Sequence, residues 1–91
     1  MLFMVIENFR EQNAKAVYQR FHECGRMMPD GLTFVSSHVT ADLGRCFQIM
    51  ETDDITLLQR WVAEWSDLID FEIVPVVTGK DAAAALAAQL A

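Results

Sequence analysis

Few side chains in this sequence can move a proton or hold a charge in apolar surroundings, and they fall in a few places. The first is "HVTADLGRCFQIMETDD", His38 to Asp54, where two apolar runs flank a turn. His38, Arg45, Phe47 and Glu51 share one sheet face by parity, together with Ser36. His38 is a candidate base there. Arg45 is a candidate holder of an anionic group, and Glu51 a charged end to an apolar floor. The competing reading is a solvated hairpin end. The second place is Glu7, on a face with Phe3 and Val5, and Glu72, on a face with Val74. If both carboxylates point into one gap between sheet and helices, desolvation raises one pKa and creates a general base for cofactor-free proton transfer. Otherwise Glu7 meets water at a strand end. The third is Trp61 and Trp65, one helical turn apart. They are core residues or the walls of a site for a flat apolar ligand. A buried indole N–H needs an acceptor, and Glu7, Gln48 and Glu51 are the candidates. Tyr18, His22 and Arg26, spaced by four, line one helix flank as a pocket rim or a solvated strip.

Other chemistries lack their residue patterns. "HECGR", His22 to Arg26, begins like a helical zinc motif but has Arg26 where the second histidine belongs. Two histidines and two cysteines match no zinc spacing, and a His22–His38–Glu51 set is the remaining metal option. No metal and no cofactor is expected. Glycines at 25, 31, 44 and 79 are too scattered for a phosphate loop. No Ser–His–Asp or Cys–His set can be read from the order of residues. Cys24 and Cys46 read as reduced, small core residues, and a buried thiol in apolar surroundings is inert.

The net charge is −6, and the seven Lys and Arg residues are dispersed. Phosphate binding needs clustered cations, so nucleic acid is not an expected partner, nor is an anionic membrane surface. No apolar run approaches the roughly 20 residues that span a bilayer. The opening "MLFMVIENFR" lacks the basic region and cleavage site of a signal peptide. The expectation is a cytoplasmic protein.

These residues need elements to position them. Leu2 to Asn8 reads as a strand, and Asn13 as the cap of a helix with apolar residues at Val17, Phe21, Cys24 and Met28, stopped by "PDG", Pro29 to Gly31. Gly25 lies on the same stripe, where the helix would approach the sheet closely. Leu32 to Thr40 and Arg45 to Thr52 form a hairpin. With Ala41 and Asp42 at its tip, His38 faces Arg45, Ser36 faces Phe47 and Phe34 faces Ile49. Asp53 or Asp54 caps a second helix, whose stripe is Leu58, Trp61, Val62, Trp65 and Leu68. Ile69 to Val77 is a strand that Pro75 confines to an edge. Residues 79–91 form an alanine-rich helix or tail behind a domain at 1–78.

The order βαββαβ plus an extra C-terminal helix specifies an α+β, ferredoxin-like fold with a four-stranded antiparallel sheet and strands one and three central. Two helices cover one sheet face, yet the strands are apolar on both: Phe3 and Val5 oppose Leu2, Met4 and Ile6, and Phe47 and Ile49 oppose Cys46 and Met50. A sheet with one wet face alternates apolar with polar. The hydrophobic fraction of 53% is also high for so short a chain. A second copy of the chain is the expected lid, giving a homodimer.

The blocks "MLFMVIENF", "VYQRFHECGRMMPDGL", "RCFQIMETDD" and "LLQRWVAEWSDLIDFEIVPVV" resemble, in order, a small bacterial family catalogued as a domain of unknown function (family 3303). Its layout is similar to that of the dimeric α/β-barrel superfamily, which includes cofactor-free monooxygenases, isomerases, haem enzymes and non-catalytic proteins. The resemblance implies a fold and transfers no activity. Two functions are therefore weighed. One is a homodimer that binds a small apolar or aromatic molecule between sheet and helices, as a cofactor-free oxidoreductase- or isomerase-like enzyme. Glu7, His38 or Glu72 is then the base, Arg45 and Glu51 the polar contacts, and Tyr18, Trp61 and Trp65 the rim and walls. The other is a non-catalytic dimeric interaction or regulatory module.

Overall fold

The computed structural model describes residues 1–90. Its elements are β1 (Leu2–Phe9), α1 (Ala14–Cys24), β2 (Thr33–Val39), β3 (Arg45–Glu51), α2 (Ile55–Trp65), β4 (Ile69–Val76) and α3 (Gly79–Leu86), with short 3-10 turns at Arg10–Gln12 and Ala87–Gln89. The strands form one sheet in the order β2-β3-β1-β4, and every neighbouring pair is antiparallel. This is the expected α+β, ferredoxin-like arrangement. β1 and β3 are central, and β4 is an edge strand, where the missing N–H of Pro75 is tolerated.

Caps fix the helices. Asn13 accepts from the Ala16 N–H at the start of α1, and Asp54 accepts from the Thr56 N–H at the start of α2. α1 ends at Cys24, earlier than "PDG" suggests. Gly25 takes φ +69°, and its N–H returns to the Phe21 carbonyl at 2.8 Å. A Cβ at Gly25 would meet nothing within 4 Å, so this glycine ends the helix and makes no close approach to the sheet. Cys24 is accordingly exposed at the helix end, while Cys46 is buried; both are free.

The hairpin differs from expectation by two residues. The turn closes with Thr40 N–H on the Arg45 carbonyl and Leu43 N–H on the Thr40 carbonyl, while Asp42 accepts from the Thr40 hydroxyl and the Gly44 N–H. His38 therefore faces Phe47, and Ser36 faces Ile49, with faces preserved. A β-bulge between Phe34 and Ser36 then moves Phe34 to the other face, opposite Met50.

Helices α1 and α2 cover one sheet face. Its core holds Phe3, Val5 and Phe9 of β1, Cys46 and Met50 of β3, Ile69 of β4, Val17 of α1, and Leu58, Trp61 and Trp65 of α2. Arg20 ties the two helices together, forking onto Asp67 at 2.6 and 2.7 Å. The opposite face reads in rows across the register: Glu72–Ile6–Phe47–His38, then Val74–Met4–Ile49–Ser36, then Val76–Leu2–Glu51–Thr33. Its apolar residues are half-buried by one another. The third helix does not cover it, since α3 buries none of its residues. Among the described residues no helix is long and apolar enough to cross a membrane.

Candidate functional site

Two concavities mark the helix-covered side. The one between α2 and β4 is lined by Ile55, Leu58, Gln59, Val62 and Ile73 and carries no titratable group. The other, of about 200 Å³, lies between the sheet and both helices and holds the chain's buried carboxylate. Glu7, Cys46 and Gln48 form its floor, Tyr18 and Phe21 of α1 flank it, Trp61 and Trp65 of α2 wall it, and Arg26 enters from the loop after α1.

Strand parity puts Glu7 inward with Phe3 and Val5, and it is 3% exposed. Its Oε2 accepts a hydrogen bond from Gln48 Nε2. Burial pushes its pKa from 4.5 up to about 7, although the Gln48 bond and the Arg26 charge both pull it down. Desolvation wins because the pocket offers one amide donor and a more distant cation in place of bulk water. Cys46 lies across the ladder from Glu7. Its thiol is pushed up to about 11 by burial and by the neighbouring carboxylate, which keeps it protonated. Burial also raises the Tyr18 pKa, so its hydroxyl stays a donor at neutral pH.

Arg26 has two roles in this geometry. Its backbone carbonyl accepts both indole N–H groups, from Trp61 at 2.9 Å and Trp65 at 3.0 Å. None of the three anticipated acceptors, Glu7, Gln48 or Glu51, is used by the tryptophans. Its guanidinium lies over Phe34 at 3.8 Å and Phe21 at 5.2 Å from the ring centroids, and Nη2 reaches Ser37 Oγ at 3.5 Å. Gln48 Oε1 is buried without a hydrogen-bond partner among the described residues.

The pocket thus gathers Glu7, Tyr18, Trp61 and Trp65 from the sequence candidates. The remaining four lie elsewhere. Glu72 pairs with Ile6 and is exposed on the uncovered face, so the two carboxylates do not share a gap. Arg45, Glu51 and His38 are on that uncovered face too, with Arg45 folded over its own neighbour Phe47 at 5.2 Å. The reason is register. Antiparallel pairing sets Cys46, Gln48 and Met50 opposite Glu7, Val5 and Phe3, so the alternate residues of β3 face away from the helices. Sequence reasoning read Cys46 as a core residue, named Gln48 only as an indole acceptor, gave Arg26 as part of a pocket rim or a solvated strip, and did not assign Ser37 to the pocket. The usable signal was Gln48, a polar side chain between Cys46 and Met50 on an otherwise apolar strand face. Tyr18 and Arg26 both line the pocket, Arg26 from beyond the helix end, whereas His22 is exposed on α1 and does not. No group of three or more His, Cys, Asp or Glu residues able to hold a metal occurs among the described residues.

Residues 1–90 match the family described as a domain of unknown function, DUF3303. The chain belongs to that family. No curated protein and no solved structure matches it. DUF3303 membership covers the sheet, all three helices and the pocket together, so the site described here lies wholly within the family's domain.

Proposed function

We propose that this protein binds a small apolar or aromatic molecule in the pocket under α1 and α2, and that Glu7 exchanges a proton with it. The observation that carries this reading is a carboxyl group 3% exposed, on the floor of a tryptophan-walled pocket, with a pKa raised to about 7. A buried charge without an ion-pair partner costs stability, and perturbed carboxyl groups in clefts concentrate at sites that use them. Size limits the guest. A dry cavity of roughly 150 Å³ accepts benzene, whereas drug-sized ligands need roughly 300 Å³ or more. About 200 Å³ suits one ring with one or two substituents.

In the proton-transfer reading, the Glu7 carboxylate takes a proton from an acidic C–H or O–H of the ligand. Gln48 Nε2 steadies the carboxylate, and the Tyr18 hydroxyl is a donor for the enolate or phenolate oxygen that forms. Return of the proton to another atom of the ligand completes an isomerisation. The same enolate is the starting point of a cofactor-free reaction with dioxygen. The uncovered apolar face supports a homodimer in this reading, and equally in that of a non-catalytic module.

The test uses the chain's two tryptophans, both in the pocket wall. Phenols and cyclic ketones should shift the indole N–H signals of Trp61 and Trp65 in NMR titrations. Cyclohexanone should take up deuterium at its α carbon faster with the protein than without it, with an apparent pKa about 7, and Glu7→Gln should remove that acceleration. If no monocyclic compound moves either indole signal at millimolar concentration, the pocket reading fails. Binding without exchange would leave a binding protein and remove the catalytic role of Glu7.

A further inference from the structure

Arg26 is a cation held half-buried at the pocket with no carboxylate in ion-pair contact among the described residues; Glu7, on the floor of the same pocket, feels its charge only from further away. Arg10 and Arg20 each pair with an aspartate, Asp70 and Asp67. Arg26 pairs with none among the described residues. Arg45, Arg60, Lys15 and Lys80 also lack partners among the described residues but are exposed, where water serves instead. The Arg26 guanidinium is pressed against Phe34, and its single side-chain hydrogen bond goes to the neutral Ser37 hydroxyl. Aromatic rings supply no hydrogen-bond acceptors in the guanidinium plane, so most of its five N–H donors have no protein partner and are left to solvent. The backbone beneath it is fixed, because the same residue's carbonyl is clamped by Trp61 and Trp65. A planar fork on a fixed backbone, at the wall of a one-ring pocket, fits a carboxylate in two parallel hydrogen bonds.

A second feature concerns the opposite need. Gln48 Oε1 is a buried acceptor with no donor, on a residue that is 6% exposed and lines the same pocket. An O–H or N–H of a guest would satisfy it. We propose that the ligand is a monocyclic carboxylic acid carrying a hydroxyl group, with its carboxylate on Arg26 and its hydroxyl at the Gln48–Glu7 pair. This rests on the reading of the pocket as a small-molecule site and adds the substrate class. It makes Arg26 the specificity-determining residue and gives it the anion-holding role first assigned to Arg45.

The experiment titrates the protein with para- and meta-hydroxybenzoate, with their methyl esters and with phenol, by calorimetry at neutral pH. At least one hydroxybenzoate should bind about ten-fold or more tighter than its own ester, the factor that about 1.4 kcal/mol of charge-assisted bonding supplies. Arg26→Leu should abolish that preference, so that acid and ester bind alike. The acid-to-ester ratio in the unaltered protein needs no variant, so a folding defect in Arg26→Leu does not blunt the test. Acid and ester binding equally well would overturn the proposal and leave the pocket reading intact. No binding by any of these compounds would overturn the pocket reading, and this proposal with it.

Discussion

Glu7 makes a carboxylate cost the fold more than a neutral group would. Its folded-state pKa of about 7 lies above its ordinary 4.5, so the folded chain holds this proton more tightly than the unfolded chain does. Its contribution to stability is complete below pH 4.5, falls as pH rises through the window up to about 7, and is gone above it. Replacing it by glutamine keeps an acceptor for Gln48 Nε2 and removes the titration. Glu7→Gln should therefore match the parent protein within about 1 kcal/mol below pH 4.5 and exceed it by about 3 kcal/mol well above neutrality. Urea unfolding of both proteins across that range measures the difference. A constant difference would mean that Glu7 ionises as freely in the folded chain as in the unfolded one. Part of this residue's environment was legible, because parity puts Glu7 on one face with Phe3 and Val5. Parity alone does not say which face the helices cover. That choice sent Arg45 and Glu51 to the uncovered side, and only the β1–β3 register resolves it.

At the scale of elements, the loop after α1 is bound to α2 through one carbonyl oxygen. Trp61 and Trp65 both donate to Arg26, and a carbonyl has two lone pairs to receive them. Substituting phenylalanine at either position removes one donor and leaves the other in place. The double substitution strips the oxygen of both. Trp61→Phe and Trp65→Phe together should cost at least about 1 kcal/mol more than the sum of the single costs, as an emptied acceptor does. A double-mutant cycle by urea unfolding gives the number, and simple additivity would mean that solvent replaces the indoles. The stripe of α2 announced both tryptophans as inward. Their shared acceptor could not be read, since it belongs to backbone placed by the Gly25 turn and not by any side chain. The bulge in β2 was equally silent. It inserts one residue without a glycine or proline to mark it, and it alone brings Phe34 to the side of Arg26.

For the whole molecule, the unpaired feature is the sheet face built from Leu2, Met4, Ile6, Phe47, Ile49 and Val74. With Val76 these make seven half-buried apolar side chains on one surface, more than a soluble monomer ordinarily presents as one patch. A face-to-face homodimer would bury them, with Glu72, His38 and Glu51 at its margin. Sedimentation equilibrium at micromolar concentration should give twice the chain mass of 10.3 kDa. Ile49→Glu, in the middle row of that face, should give a folded monomer. A parent protein that is monomeric at that concentration would refute the dimer.

Strand β3, "RCFQIME", spells two messages in alternating letters. Its second, fourth and sixth residues address the pocket side, and the others address the uncovered face. The two vocabularies share a backbone and no side chain. A substitution on the pocket side therefore leaves the uncovered face unchanged, and the reverse, one letter at a time. A single-residue insertion in this strand would exchange the two messages wholesale, which makes β3 tolerant of substitution and intolerant of changes in length.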